Sequence, residues 1–451
     1  MTQYLGLMTF TSHHPPVSTL ILGSVFRLGS HINGNFGVFL YILLQMLLLA
    51  AVEGYMICMM RKMNAPTWLV NGSLLICVFV PYFSAFISVV LKDNFYTYFF
   101  LLFIIELTYM ICKKELFFTN MHSLLWMIAT AGVILLRNNG KYVVYPVTLL
   151  LLIVVRDWYQ SHSKKLWQRK LIKPTIVLLM PVIAASILSA GIMRHYNIEK
   201  GSIREALSLP FQQTARYVLY HENEVAEEEK EDINSILDYS SLAEKYDPRI
   251  SDPVKATFKK KSTRGDLVQY LKVWGRQFFR HPGTYLEATL NQNYYIVYPF
   301  VPNDQIYSGL DMGYERQEEL WKLMDIHSVD SLKAAKGRIL AYYKLCFRLP
   351  VLNLLSHPAL YTLLMIWMTV FALMRRKKNF LVVMFPLLLS LLIILLSPVI
   401  QGHARYAFPI IYSMPLLIAF YLYDNESDKE GITIVMGTQS NTIRGQEVEE
   451  T

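Results

Sequence analysis

Arg137 and Arg405 are the side chains in this sequence best suited to chemistry, because of where they stand. Each lies in a short polar stretch between long apolar runs, Arg137-Asn138-Asn139-Gly140-Lys141 and His403-Ala404-Arg405-Tyr406. A guanidinium presents a planar fork of donors that matches phosphate oxygens, and Asn and Gly suit a tight turn beside it. Lys92-Asp93 sets an ammonium next to a carboxylate, and each favours the charged form of the other. His13-His14-Pro15-Pro16 puts two imidazoles on a loop stiffened by proline, where they could donate to an anion or exchange protons. Each cluster also has a plainer reading, as a turn, a loop or an interfacial anchor whose charge snorkels to water. The chemistry they could share is binding a phosphate and handling a proton.

The elements that must position these residues are apolar runs of near membrane-spanning length, of which there are about nine. They are Phe36–Met60, Trp68–Val90, Asn94–Cys112, Met121–Leu136, Tyr142–Val155, Thr175–Met193, Pro358–Met374, Phe380–Ile400 and Tyr406–Tyr423. The loops between them alternate in character. Arg61-Lys62, Lys113-Lys114, the stretch Arg156 to Lys173 and Arg375-Arg376-Lys377-Lys378 occupy every second loop. Short Lys/Arg-rich loops stay cytoplasmic, so the clusters named above must meet on the opposite face, together with a long polar segment. Arg137 and Arg405 run against that bias. A fixed cation on the outer face asks for an anionic ligand, and a lipid-linked phosphate is the class at hand there.

Composition agrees with a membrane protein. Hydrophobic residues make up 53% of 451 and charged residues 17%, where soluble domains carry roughly a quarter charged. The net charge of +9 sits largely in cytoplasmic loops and sets topology, so nucleic acid is not an expected partner. Cys58, Cys77 and Cys112 lie within spans and Cys346 stands apart, with no metal-ligand spacing. No metal ligands are assigned and no cofactor is expected, a divalent cation being allowed. No nucleotide-binding loop, dinucleotide fingerprint or Ser-His-Asp set can be assembled. Glu53 and Glu106 are the clear acids inside the spans.

The expected fold is all-α and integral to the membrane, a multi-span bundle with a mostly helical extracytoplasmic cap. Residues 1–35 form an outer N-terminal loop with a short helix, 36–194 a bundle of about six spans, 195–356 the cap, 357–423 three further spans, and 424–451 a disordered cytoplasmic tail. In the cap, Ser202–His221 and Leu267–Phe279 have helical spacing, Glu222–Asp232 reads as a solvated helix face, Asp247-Pro248 and Asp252-Pro253 read as turns, and Tyr294–Phe300 is an aromatic, β-prone run. Few apolar clusters are expected inside it, so it should rest on the bundle rather than fold alone.

The His-Pro-Pro outer loop, the acid of the second outer loop, the large outer insertion and the Arg-Tyr-plus-Pro last span together resemble the GT-C superfamily. Those are polytopic glycosyltransferases that use polyprenyl-phosphate sugars, such as the protein O-mannosyltransferases and the lipid A aminoarabinose transferase. Leu209-Pro210-Phe211-Gln212-Gln213-Thr214-Ala215-Arg216 and Ser251-Asp252-Pro253-Val254-Lys255 more closely resemble an uncharacterised Gram-positive branch of it. The resemblance covers most of Ser12–Tyr423. It implies sugar transfer from a polyprenyl-phosphate donor to an acceptor glycan, lipid or protein at the bacterial plasma membrane. Asp93 matches a catalytic acid, and Arg137 and Arg405 match the cations near the donor phosphate, with Lys92, Asn138 and His403 beside them. His13 and His14 match the substrate loop. The superfamily carries its main catalytic Asp upstream of the His-Pro-Pro stretch, after a first span. The chain is therefore expected to lack that N-terminal span and to be truncated or inactive. Two other classes share the outer cations: a transporter or flippase of a lipid-linked glycan, which would need polar residues lining the spans, and a non-catalytic membrane subunit.

Overall fold

The computed structural model describes residues 1–84, 86–113, 117–118, 121–162, 167–199, 201–300, 318–397 and 399–423. The expected tail 424–451 lies outside the described residues. The protein is an all-α multi-span membrane protein. Extended backbone pairs only as isolated bridges among the described residues, such as Thr11 with Glu199.

Helix α1 spans Pro16–Ser30, α2 Gly34–Lys62, α3 Thr67–Phe79, α4 Lys92–Cys112, α5 Met121–Leu136, α6 Gly140–His162 and α7 Trp167–His195. The cap contributes α8 Ser208–His221, α9 Glu227–Ile236, α10 Arg264–Arg280 and α11 Pro282–Asn293, followed by α12 Lys333–Arg348. The chain then returns through α13 Pro358–Met374 and α14 Lys378–Leu396, and through α15, Ala404–Tyr423. Six of these (α2, α4, α6, α7, α14 and α15) are long and apolar enough to cross a membrane. The other three expected spans form the shorter apolar helices α3, α5 and α13. Pro81 explains the first of them: the residue before proline is pushed out of helical geometry, and Val80 is extended there.

Burial ranks the helices. Most of α4 and α15 is enclosed, whereas α2 and α7 are peripheral. Phe95, Phe100, Phe103 and Ile104 of α4 join Phe408, Ile411 and Leu416 of α15 in one large apolar core. Helix α1 is held close to α2 by glycine: a Cβ on Gly29 would come 2.6 Å from Gly37 Cα. A side chain at either position would force the pair apart.

The cap has its own core. Phe211, Tyr217, Ile233, Leu242, Tyr270 and Tyr285 are buried in a cluster separate from that of the bundle. This corrects the expectation of few apolar clusters: the amphipathic faces of α8, α9, α10 and α11 turn toward one another, while α11 also meets the span α14. Helix α10 starts at a capping box in which Thr263 and Asp266 satisfy each other's backbone N–H. The Tyr294–Phe300 run is not a strand either. Tyr294–Ile296 is a 3-10 turn, with Tyr295 and Ile296 buried in the core of the bundle, so its aromatic content serves packing. Backbone joins cap to bundle where Gln401 N donates to Arg249 O at 2.9 Å. Asn293 Nδ2 donates to Leu395 O at 3.1 Å across the same boundary.

Candidate functional site

A cavity of about 1010 Å³ opens where the cap meets the span ends. Its walls come from segments far apart in sequence, and each is placed by a local reason.

The turn between α5 and α6 carries Arg137. Gly140 N donates to Arg137 O at 2.9 Å, closing the turn. A Cβ at Gly140 would collide with the Val133 carbonyl, so only glycine allows α6 to start so close to α5. Asn138 Nδ2 reaches the Ser12 carbonyl at 3.1 Å, and Ser18 Oγ donates to Leu136 O at 2.9 Å. Together these bonds pin the His13-His14 loop onto the Arg137 turn. Pro15 and Pro16 start α1 at the position where a missing N–H costs nothing.

Helix α4 begins with Lys92 and Asp93. The loop before it is fixed by Gln45 Nε2, which donates to Ile87 O at 2.6 Å, and by Asn94 Nδ2, which donates to Phe86 O at 2.8 Å. Asp93 is 2% exposed. One carboxylate oxygen faces Arg137 Nη1 at 3.3 Å, and the other faces Arg405 Nη1 at 3.9 Å. Tyr406 lies beneath both cations, its ring 5.8 Å from the Arg137 guanidinium and 5.1 Å from that of Arg405. Arg137 also lies over the Tyr96 ring, 5.2 Å from its centroid. Each aromatic face adds a cation–π attraction that holds a guanidinium without consuming its donors. Arg405 Nε is buried and finds no acceptor among the described residues.

Lys92 donates to His14 Nδ1 at 3.2 Å. Loss of water around His14, then the Lys92 charge, push its pKa down to about 4. His13 is lowered too, by burial first and also by Lys92, with Glu205 acting the other way. Both imidazoles are therefore neutral near pH 7. His403 does not line the cavity. It precedes α15, and its backbone carbonyl accepts from Tyr295 Oη at 2.9 Å. Burial, then Arg405, push its imidazole down to about 4.

The cap supplies residues that the sequence reading did not single out as site members. Glu205, Asp252 and Lys255 line the same cavity as the arginines. Lys255 Nζ lies 2.9 Å from Glu205 Oε2 and 2.6 Å from Asp252 Oδ1. Burial pushes the Glu205 carboxyl up, but Lys255, His13 and Arg204 together outweigh it and leave it below the ordinary range. Asp252-Pro253 reads in sequence as a turn signal, and Glu205 falls within the helically spaced stretch Ser202–His221. Nothing in their spacing announces a cavity wall 50 residues apart in sequence.

The lining is divided by polarity. Lys92, Arg137, Lys141, Lys255 and Arg405 against Asp93, Glu205 and Asp252 leave a surplus of cations, with both histidines neutral. Beside them stand apolar residues of the span ends, including Val143, Met193, Ile393, Ile394 and Leu396. Such a cavity suits an anion that carries a hydrocarbon chain.

Of the acids inside the spans, Glu106 is fully buried. It accepts from Tyr55 Oη at 2.6 Å and pairs with His122 Nδ1 at 3.0 Å. It stands 13 residues along α4 from Asp93, or about 20 Å at 1.5 Å per residue. Phe100 and Phe103 fill the interval, and Phe103 stacks on Trp126 with ring centroids 4.6 Å apart.

A family model describing a family of unknown function, DUF6020, matches residues 6–433. The chain belongs to that family. No curated protein and no solved structure matches it.

Proposed function

We propose that this DUF6020 protein is a membrane glycosyltransferase of GT-C type, moving a sugar from a polyprenyl-phosphate donor to an acceptor glycan, lipid or protein. The cap side is taken as extracytoplasmic on the Lys/Arg asymmetry of the loops, which fits a multi-pass protein of a bacterial plasma membrane. One observation carries the reading. Two arginines that topology disfavours lie in one cavity, gathered around a buried carboxylate and bordered by apolar span ends.

In the transfer, the acceptor hydroxyl oxygen bonds to the anomeric carbon as the bond to the donor phosphate breaks. The electron pair leaves on the phosphate oxygen, and the hydroxyl proton goes to a carboxylate acting as general base. Arg137 and Arg405 stabilise the departing phosphate. Asp93 is the acid at the reacting end of the site, and Glu205 is the second carboxylate within the cavity. A flippase or transporter is disfavoured by the aromatic packing along α4 between Asp93 and Glu106, which offers no polar path there.

The engagement of Asp93 by both guanidinium groups favours a second reading, a subunit that binds the lipid phosphate without transferring its sugar. One experiment separates the two. The full chain, reconstituted in vesicles with a polyprenyl-phosphate sugar, is assayed for binding and for sugar release. Arg137→Ala or Arg405→Ala should weaken binding about ten- to a hundred-fold, the loss of one charge-assisted bond of roughly 1.5–3 kcal/mol. The double change should be less than additive, because both act on one group. Binding with release supports transfer, and binding without release supports the subunit. Binding indifferent to both arginines overturns the site.

A further inference from the structure

The cap carries a second cluster of chemically able side chains, outside the cavity. His221 is the last residue of α8, Glu224 closes the 3-10 turn Glu222–Glu224 that follows, and His281 stands at the corner between α10 and α11. One donor atom from each lies within 4.8 Å of the others. The two imidazoles stack face to face, ring centroids 3.8 Å apart and planes 13° from parallel. Both turn a nitrogen to the same carboxylate: His281 Nε2 is 2.8 Å from Glu224 Oε2, and His221 Nδ1 is 3.4 Å from Oε1.

The far side of His221 is informative. Its Nε2 lies 2.9 Å from Thr284 Oγ1, in the first turn of α11. The hydroxyl can give or take the proton at Nε2; where it takes it, the Nδ1 lone pair faces a carboxylate oxygen, and a cation between these two acceptors would satisfy both. A hydrogen-bond partner on the remote ring nitrogen is also how metal-bound histidines are oriented. Arg280 nearby donates to Glu224 O at 2.9 Å and is offset by Glu229 at 3.3 Å, so its charge does not fill this role.

We propose that His221, Glu224 and His281 bind a divalent first-row transition metal of the zinc class. Two imidazoles and one carboxylate suit such an ion, whereas calcium and magnesium call for oxygen ligands. Ligand bonds of about 2.0–2.2 Å would draw the three donors to roughly 3.3 Å from one another, a small closure for partly exposed side chain ends. The bound ion would tie the end of α8 to the corner of α10 and α11, clamping two halves of the cap core. The proposal does not depend on the proposed transferase activity, since none of the three residues lines the cavity.

The test uses the full chain in detergent, with any affinity tag removed and the protein stripped by chelator. Equilibrium dialysis against Zn²⁺ should return one tightly held ion per chain. Co²⁺ in its place should give the intense visible bands of a four- or five-coordinate site. The double change His221→Ala/His281→Ala should abolish that uptake. Thr284→Val, which leaves all three ligands in place, should weaken it about ten- to a hundred-fold and so guards against a variant that merely misfolds. No uptake by the wild-type chain, uptake retained by the double variant, or a Co²⁺ spectrum like that of the hydrated ion would each overturn the site. The cluster would then be an imidazole–carboxylate network held by protons alone.

Discussion

Replacing Asp93 by asparagine should make the protein less stable and the proposed phosphate site stronger. Asp93 is 3% exposed at its side chain, and Arg137 and Arg405 are 16% and 24% exposed. Asparagine keeps the shape but leaves two guanidinium groups facing each other without the anion that separates them. Removing one partner of a fully buried ion pair costs about 3–5 kcal/mol. The arginines retain some access to water, which screens them, so about 2 kcal/mol is the expected loss. A phosphate oxygen arriving between the same cations restores what the carboxylate supplied, and the wild-type carboxylate no longer competes. By linkage, up to that 2 kcal/mol returns on binding, a dissociation constant about tenfold to thirtyfold lower. The assay is denaturant or thermal unfolding of the purified chain in detergent, with and without a short-chain polyprenyl phosphate, alongside direct titration of that ligand. Unchanged stability together with unchanged or weaker binding would refute the idea that Asp93 holds the cations for an anion. If Asp93 also takes the acceptor proton, sugar release should vanish in the same variant that binds better.

Other expectations follow from the cap and the histidines. The segment 202–293, holding its own buried cluster, should unfold cooperatively when produced alone; a featureless thermal trace would show that the bundle is needed to order it. His403 and His14 have folded-state values pushed down to about 4 from 6.5, so the folded protein resists protonating them. Their contribution therefore disfavours the fold increasingly as pH drops from about 6.5 toward 4, and His403→Gln should flatten the fall of the unfolding midpoint over that window; an unaltered profile would contradict it. A cysteine placed at Glu228 should react in intact cells with a membrane-impermeant reagent, and failure to label would place the cap on the other face.

The parts of this protein that could be read from sequence were those in which one residue type breaks a strong rule. Long apolar runs announce spans, and a lone arginine at an outer span end stands out against the charge bias. That is why Arg137 and Arg405 could be paired from 268 positions apart. Span length was harder to read, because hydropathy continues through a breaker. The run Trp68–Val90 contains Pro81, and the helix stops at Phe79. Tyr96 was invisible as a site member, and Tyr406 registered only as part of a motif, because tyrosine near a span end ordinarily marks the lipid interface. Here both rings lie under guanidinium groups. Glu205 and Lys255 do not stand out as members of one site because each looks ordinary until the fold sets them 2.9 Å apart. The cap core was missed for a related reason: its amphipathic helices could equally have covered the bundle, and period alone does not say which partner an apolar face will choose.

The placing of Arg405 at the start of α15 bears on how the protein is made. Translation delivers Asp93 and Arg137 early, and the whole cap must be synthesised before Arg405 appears. Until then the carboxylate has one cation, at 3.3 Å, and lacks the second at 3.9 Å. Because α4 is enclosed in part by α15, its apolar flank also lies open to lipid or to an insertion factor during that interval. Completion of the site therefore coincides with arrival of the last span. A chain cut short before residue 404 would keep most of its membrane helices and its cap, yet would carry an unfinished charge cluster at their junction. The order of the chain thus couples closure of the charge cluster to the packing of α15 against α4.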